Sequence, residues 1–276
     1  MMLTILGSAA AEAVPALWCE CDVCAYARKH GGKDVRKRTA YLLDEDTLID
    51  FGPDAFFQVI AHGIDLLKID RICFTHAHCD HCNPVELNWR RKGFSKVTRQ
   101  IEILGSKPTY DYIKLITSLD DDAPIDKYFF DFRECAPGVV TVSGDLNVLA
   151  IGANHAPKLD ALNYILSRGD RKILIANDTG FWSPASWRTA SEQQVDCAII
   201  DTTMALVYAG HDQGHMGVEA VVRFRDELLK RNALAPGARV IANHFSHNGN
   251  SLHHELEAFF RPHGIEVGFD GMKIEI

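Results

Sequence analysis

Four side chains that can bind metal ions lie within six positions, directly after an apolar run. They are His76, His78, Asp80 and His81, and the run is Arg71–Phe74. In a strand, residues two apart point to the same face, so extended chain here would place His76 and His78 together. A turn or helix that begins next would direct Asp80 and His81 toward a second point. Because imidazole and carboxylate groups suit zinc, iron and manganese, the spacing predicts a site for two metal ions.

Three later residues with metal-binding side chains also stand just past apolar runs that predict strands. They are His155, Asp178 and His244. Taken singly, each is typical of a polar loop or turn residue. Taken together, they all follow strand ends, where folded chains present functional loops. We therefore expect them to lie beside the first group.

The pattern H-x-H-x-D-H after a strand resembles the signature of the metallo-β-lactamase superfamily. That resemblance implies an α/β fold, a four-layer αββα sandwich, with a binuclear site for zinc, manganese or iron at one edge. It implies that Asp178 bridges the two cations. It further implies that one cation is held by His76, His78 and His155, and the other by Asp80, His81 and His244. Asp50, at the end of another apolar run, is expected to orient a ligand through a hydrogen bond.

A second group of candidate ligands lies near the start of the chain. Cys19, Cys21 and Cys24 supply three thiols within six residues. Tetrahedral zinc sites favour such cysteine clusters, completed by one histidine from elsewhere. A disulfide between Cys19 and Cys21 would close a strained ring, since one residue separates them. The cluster is therefore either a zinc site or a set of unligated thiols.

Over nearly its full length the chain resembles the phosphoribosyl cyclic phosphate phosphodiesterases of the carbon–phosphorus lyase pathway, which breaks down phosphonates. The likeness rests on the opening Leu6–Ser8 with the cysteine cluster, on a second histidine after His244, and on the tail Glu266–Met272. It implies a structural zinc in a loop at about residues 18–31, held by Cys19, Cys21, Cys24 and His247. The chain departs from this family at Ala9–Ala13, where the family is rich in glycine.

The function implied by this resemblance is hydrolysis of a small cyclic phosphodiester, such as 5-phosphoribosyl 1,2-cyclic phosphate, by a metal-bridging hydroxide. Asp80 belongs to the catalytic group as well as to the ligands. The departing ribose oxygen needs a proton, and His215 is the candidate general acid, with His211 as its rival. Candidates for contact with a phosphorylated substrate are the basic residues at 28–38 and 90–92, and Lys158.

Other functions of the same superfamily stay open on the sequence. The pyrroloquinoline quinone biosynthesis protein B shares the cysteine cluster and resembles the opening Gly7–Ala10, but it typically lacks an intact H-x-H-x-D-H. A tRNA 3′-processing endonuclease needs a basic arm that grips RNA, whereas Leu119–Pro124 is acidic. Hydrolases of thioesters or lactams are disfavoured by the cysteine cluster and the tail. The intact metal motif favours a hydrolase over a protein without enzymatic activity.

The elements that must position these residues alternate along the chain as short apolar runs and helical patterns. Strands are predicted from Met2–Gly7 through to Arg239–Asn243. Helices are predicted over residues 54–62, 109–117 and 218–232. This order favours mixed sheets covered by helices.

The tail of the chain, Ile265–Ile276, alternates apolar and polar residues on either side of Asp270 and Gly271. An Asp-Gly pair between two alternating runs predicts a β-hairpin. No repeat and no linker-like composition interrupts the sequence, so a single domain over residues 1–276 is expected.

The composition limits the classes of partner. The chain has 276 residues, of which 47% are hydrophobic and 24% charged, as in ordinary globular proteins. It lacks an uncharged apolar stretch of about 18 residues and a basic export signal, so a membrane partner is not expected. Eight cysteines in such a chain favour a cytoplasmic location and metal binding over disulfides. The net charge of −8 disfavours nucleic acid. The resemblance implies a small phosphorylated substrate and a homodimer.

Overall fold

The computed structural model describes residues 1–119 and 130–276. Residues 120–124, whose acidity disfavours an RNA-gripping arm, lie outside the described part. The strands are β1 Met2–Gly7, β2 Ala40–Leu43, β3 Thr47–Ile49, β4 Arg71–Cys73, β5 Ile101–Gly105, β6 Phe130–Glu134, β7 Val140–Ser143, β8 Leu146–Gly152, β9 Leu162–Arg168, β10 Arg171–Ala176, β11 Val195–Asp201, β12 Leu234–Asn243, β13 Glu266–Val267 and β14 Lys273–Glu275. The helices are α1 Asp22–His30, α2 Ala55–His62, α3 Pro84–Leu87, α4 Lys107–Thr117, α5 Pro184–Ala190, α6 Val218–Lys230 and α7 His253–Phe260.

These strands form two sheets of seven. The first has the order β14-β1-β2-β3-β4-β5-β6, and the second has the order β13-β12-β11-β10-β9-β8-β7. Both sheets are mixed. In the first, β3 to β6 run parallel, and in the second β10 to β13 run parallel, while the remaining neighbours are antiparallel.

The two sheets pack face to face, with helices on both outer faces. The shared core between the sheets includes Tyr41 from the first and Tyr164 from the second, both fully buried. On the outer faces, Ile113 of α4 packs against the first sheet and Phe224 of α6 against the second. Full burial of one large apolar side chain stabilises a fold by about 1.5–3 kcal/mol. The apolar side chains buried between the layers therefore hold the sheets and helices together. The predicted α/β sandwich of the metallo-β-lactamase type is confirmed.

The direction of the strands brings the loops of interest to one edge of the sandwich. β10, β11 and β12 are parallel neighbours, so their carboxyl ends lie side by side. β8 runs in the same direction as β10, because β9 between them is antiparallel to both. In the first sheet, β3 and β4 are also parallel. The chain leaves β4, β8, β10 and β12 into the loops that carry the predicted metal ligands, and it leaves β3 into the segment that begins with Asp50.

The predicted hairpin of the tail is wrong. β13 pairs with β12 in the second sheet, whereas β14 pairs with β1 in the first. The turn between them crosses from one sheet to the other, because the backbone amide of Gly268 donates to Ala242 and that of Gly271 donates to Ile5. Each half of the tail therefore extends a different sheet. A side chain at Gly268 would meet the Asn243 Oδ1 at 2.4 Å, so the crossing requires glycine there.

Element boundaries otherwise differ from the predictions by a few residues. α2 begins at Ala55 with Asp54 before it, α4 begins at Lys107, and α6 ends at Lys230. Among the described residues, no helix is both long and apolar enough to cross a bilayer.

Candidate metal centre

The loop after β4 folds back on itself in the middle of the H-x-H-x-D-H segment. The backbone amides of His81 and Cys82 both donate to the carbonyl oxygen of His78, at 3.0 and 2.9 Å. This turn separates the segment into two halves, as the sequence predicts. His76 lies before the turn, and Asp80 lies within it.

The first half of the segment meets His155 from the loop after β8. The His76 Nε2 lies 2.8 Å from the His78 Nδ1, and the His155 Nε2 lies 3.2 Å from that same Nδ1. Burial, together with His81 close by, holds the pKa of His76 well below its ordinary value, so its imidazole is neutral. Neutral imidazoles whose nitrogens converge on one point are the usual ligands of a zinc-like cation.

The second half of the segment meets His244 from the loop after β12. The His81 Nε2 lies 3.1 Å from the Asp80 Oδ2 and 3.4 Å from the His244 Nε2. Burial alone would lower the pKa of His81, but the carboxylates of Asp178 and Asp80 hold it well above its ordinary value. These carboxylates therefore favour a positive charge beside the His81 Nε2. A divalent cation carries twice the charge of a proton and would satisfy them better.

Asp178, directly after β10, stands between the two groups. Its Oδ1 lies 3.7 Å from the His155 Nε2, while its Oδ2 lies 2.9 Å from the His81 Nε2 and 3.0 Å from the His244 Nε2. Burial would raise the pKa of Asp178, but His244 and His81 hold it well below its ordinary value. One carboxylate oxygen thus faces each group.

The Asp178 Oδ2 provides a test of whether these residues fit metal ions. This oxygen is buried and has no hydrogen-bond partner, although the Nε2 atoms of His81 and His244 lie 2.9 and 3.0 Å from it. Buried polar atoms in folded proteins are almost always partnered. A cation among the three atoms would satisfy the oxygen and both ring nitrogens. The arrangement of donors therefore fits two divalent cations, with Asp178 between them.

Asp50, the first residue after β3, holds the His81 ring in place by a hydrogen bond on the side away from the metal centre. The His81 Nδ1–H donates to the Asp50 Oδ2 at 2.7 Å, and the backbone amide of Thr75 donates to the Asp50 Oδ1 at 2.8 Å. This contact leaves the Nε2 of His81 as the nitrogen that faces Asp178. The structure shows the orienting hydrogen bond expected of Asp50.

A second carboxylate, Asp201 at the end of β11, was not singled out by the sequence reasoning. The His215 Nδ1–H donates to the Asp201 Oδ2 at 2.9 Å, and the backbone amide of Met216 donates to the Asp201 Oδ1. Thr203 links this pair to the centre, because its Oγ1 lies 2.8 Å from the His244 Nδ1. Asp201 ends an apolar strand just as Asp50 follows one, so the rule used for Asp50 would have found it.

The two candidates for the general acid lie in different surroundings. His215 lines a cavity of about 330 Å³ over the metal centre, together with His78, Asp80 and His244. Burial would lower the pKa of His215, but the Asp201 carboxylate raises it to about 9. His211 is exposed, and its Nε2 contacts the backbone carbonyl of Gln213 outside this cavity. A larger cavity, of about 640 Å³, lies beside α2 and includes none of the predicted site residues.

The cysteine cluster also comes together. The sulfur atoms of Cys19 and Cys21 lie 3.4 and 3.6 Å from the His247 Nδ1, and all the potential donor atoms of the cluster lie within 4.8 Å of one another. Ligands of a tetrahedral zinc ion are separated by roughly 3.5 Å, given bond lengths of about 2.0–2.3 Å. Cys21 and Cys24 stand at the start of α1, and His247 follows the loop that carries His244. The cluster thus connects the N-terminal loop to the loop of the candidate metal centre.

A curated protein matches part of this chain. The chain is 35% identical over 100 residues to an octanoyltransferase of Porphyromonas gingivalis. The match covers 33% of this chain and 19% of the relative, so the chain spans about a fifth of the length of that relative.

Several solved structures share the fold over the whole chain. A new diphosphatase from the PhnP family is 21% identical, with a TM-score of 0.74, covering 100% of this chain and 97% of that one. Zn²⁺-bound PqqB from Methylobacterium extorquens is 16% identical, with a TM-score of 0.74 and 100% of each chain covered. The short form of human tRNase Z is 18% identical, with a TM-score of 0.68, covering 100% and 99%. At these identities the likeness shows the fold alone.

The family to which the chain belongs is shown by a match to a family model. The family description "Beta-lactamase superfamily domain" matches residues 46–244, which is most of the chain and includes all seven residues of the candidate metal centre. The chain belongs to the β-lactamase superfamily.

Proposed function

We propose that the protein hydrolyses a small cyclic phosphodiester, of which 5-phosphoribosyl 1,2-cyclic phosphate is an example. The observation that carries this proposal is the position of His215 on the cavity over the two clusters, with its Nδ1 held by Asp201. A phosphodiester needs both a charged site for the phosphoryl oxygens and a proton for the departing alkoxide. The fold likeness to a diphosphatase from the PhnP family supports a phosphorus ester as the substrate class.

The residues that would hold the cations form two groups, one for each cation. Asp178 would contribute to both sites. When bound, two divalent cations would activate a water molecule and neutralise charge on the phosphoryl oxygens. The residues of one site are His76, His78 and His155, and those of the other are Asp80, His81 and His244.

His215 supplies the proton. Its Nδ1 is occupied by the Asp201 carboxylate, so its Nε2 is the nitrogen left for the substrate. In hydrolysis, a bond forms between the water oxygen and phosphorus as the ring P–O bond breaks. The departing ring oxygen takes the proton from the His215 Nε2, and the product is a phosphomonoester with a free hydroxyl. The attacking water loses a proton to solvent, and solvent in turn restores the proton of His215.

A cavity of about 330 Å³ is at the small end of the range for ligand sites, which suits a single sugar phosphate. The intact double cluster also favours a hydrolase over a non-enzymatic role in quinone biosynthesis. We further propose that Cys19, Cys21, Cys24 and His247 hold a structural zinc.

The experiment that tests the function measures metal content and diester cleavage on the same sample. The protein loaded with zinc or manganese is expected to cleave bis-p-nitrophenyl phosphate and cyclic ribose phosphates. His76→Ala should lower both rates at least about a thousandfold, because it removes a metal ligand. The exposed His254→Ala should leave them unchanged. A fully metallated enzyme that cleaves no phosphodiester would show that the proposal is wrong.

A further inference from the structure

One wall of the cavity over the metal centre is not made of metal ligands. It includes Glu12, Tyr208, Ser246 and Asn248. Among the described residues that line the cavity there is no lysine and no arginine. The charged side chain on this wall is the carboxylate of Glu12, so the wall offers hydrogen-bonding groups and a negative charge.

Glu12 is held on this wall by the loop that carries the ligand His244. Its Oε1 accepts a hydrogen bond from the Asn248 Nδ2 at 3.3 Å, and its Oε2 accepts one from the Ser246 Oγ at 3.5 Å. Ser246 is largely buried and follows His244 by two positions. Glu12 is itself exposed, so these contacts place its carboxylate on the solvent side of the cavity, beside the loop that carries His244.

The basic residues that the sequence offers for phosphate binding are engaged elsewhere or lie outside the cavity. Arg36 is buried and donates to the Ser8 Oγ, the Gly268 carbonyl and His253. Arg38 donates to the carboxylate of Asp54. Lys158 is exposed and does not line the cavity. A second phosphate placed on this side of the cavity would thus meet the Glu12 carboxylate, with no lysine or arginine in the described lining to offset its charge.

We propose that Glu12 is a specificity-determining residue, which favours cyclic phosphodiesters whose remaining part is uncharged and hydroxylated and makes the 5-phosphorylated sugar named above the poorer of the two substrates. This inference rests on the proposed phosphodiesterase function and narrows its substrate class. A carboxylate accepts hydrogen bonds from sugar hydroxyls. It repels a phosphate dianion at close range. The chain should therefore prefer ribose 1,2-cyclic phosphate to its 5-phosphorylated form.

The test compares kcat/KM for these two sugars, using wild type, Glu12→Gln and Glu12→Lys. Wild type should prefer the unphosphorylated sugar by about tenfold, which corresponds to one moderately screened charge pair. Glu12→Gln should reduce the preference, and Glu12→Lys should reverse it, mainly through KM. Glu275→Gln removes an exposed carboxylate on β14, outside the cavity, and should leave the preference unchanged. Calorimetry with ribose 5-phosphate should show tighter binding to Glu12→Lys than to wild type.

Metal analysis of each sample keeps the two proposals distinguishable. If the metallated wild type cleaves neither cyclic sugar nor bis-p-nitrophenyl phosphate, the proposed function fails and the inference fails with it. If it cleaves them but favours the 5-phosphorylated sugar, Glu12 does not set specificity, although the function stands. The same holds if Glu12→Lys changes neither the preference nor the binding of ribose 5-phosphate.

Discussion

Two imidazoles of the site are each backed by a buried carboxylate. Asp50 accepts a hydrogen bond from His81, and Asp201 accepts one from His215. In both pairs the carboxylate occupies the Nδ1 and leaves the Nε2 for the site. The difference lies in what the Nε2 faces, since that of His81 faces the Asp178 carboxylate. The ring of His215 lines the open cavity. One local arrangement therefore suits a metal ligand in one place and a proton donor in the other.

At the scale of this residue pair, Asp201→Asn should impair proton donation by His215. Without the charge of Asp201, the ring is less often protonated and less firmly oriented. Opening of a cyclic ribose phosphate, which expels an alkoxide, should slow about 100-fold. Cleavage of bis-p-nitrophenyl phosphate should slow less than about tenfold, because p-nitrophenolate leaves without a proton. Steady-state kinetics with both substrates gives the comparison.

His211→Ala provides the matched control, since His211 is exposed and lies outside the cavity. The rates of the His211→Ala variant on the cyclic ribose phosphate and on bis-p-nitrophenyl phosphate should stay within about twofold of wild type, as for ordinary surface substitutions. Equal losses on both substrates in Asp201→Asn would point to a structural role alone. A selective loss in His211→Ala would reverse the assignment of the general acid.

At the scale of elements, the start of α7 is joined to the N-terminal region through a buried histidine. The Arg36 Nη2 lies 2.9 Å from the His253 Nδ1, and the His253 Nε2 lies 2.8 Å from a carboxylate oxygen of Glu257. Burial, and then the charge of Arg36, lowers the pKa of His253 to about 4. The ring is therefore neutral in the folded chain, with Nδ1 accepting from Arg36.

This arrangement makes the stability of the fold depend on pH. The unfolded His253 has an ordinary pKa of about 6.5, above that of the folded state, so the unfolded state binds the proton more readily. The contribution is fully present above pH ~6.5 and is lost as the pH falls toward 4. Between pH 7 and 5 the loss should be about 2 kcal/mol in the free energy of unfolding, measured by urea titration.

His253→Asn isolates this contribution, because the asparagine Oδ1 can still accept from Arg36 but does not titrate. The fall in stability between pH 7 and 5 should be smaller in this variant by about that 2 kcal/mol. Other groups, including the metal ligands, titrate equally in both proteins and cancel in the comparison. The same fall in both proteins would show that His253 is not the titrating group.

Most elements could be predicted from the sequence, because in these cases one apolar run forms one strand. The sequence also predicted the ligand loops, because each follows such a run. It failed at the tail, where the alternation on either side of Asp270 and Gly271 suits a hairpin and two separate edge strands equally well. The local alternation of apolar and polar residues does not indicate which sheet a strand joins. Asp201 could have been found because it ends an apolar run, but its pairing with His215, fourteen residues away, is brought about by the fold and is not visible in the local pattern.

At the scale of the whole molecule, the candidate metal centre joins the two sheets. His76, His78, Asp80 and His81 come from the loop after β4 in the first sheet. His155, Asp178 and His244 come from loops of the second sheet. The cysteine cluster makes a separate connection, between the N-terminal loop and the loop after β12. Bound metals would therefore stabilise contacts that are long-range in sequence, and the two kinds of site would do so through separate sets of ligands.

The separate sets of ligands give a prediction about metal content and stability that compares His76→Ala with Cys21→Ala. Wild type should bind three metals per chain, two at the centre and one at the cysteine cluster. His76→Ala should lose catalytic metal and activity but keep the zinc of the cysteine cluster. Cys21→Ala should lose that zinc and at least about 3 kcal/mol of stability, or roughly 6–10 °C in Tm, because structural zinc binding is coupled to folding. Cys197→Ala, at a buried cysteine outside both sites, should leave the metal content unchanged. Metal analysis and thermal melts measure both quantities, and a Cys21→Ala protein with unchanged zinc and unchanged Tm would exclude the structural site.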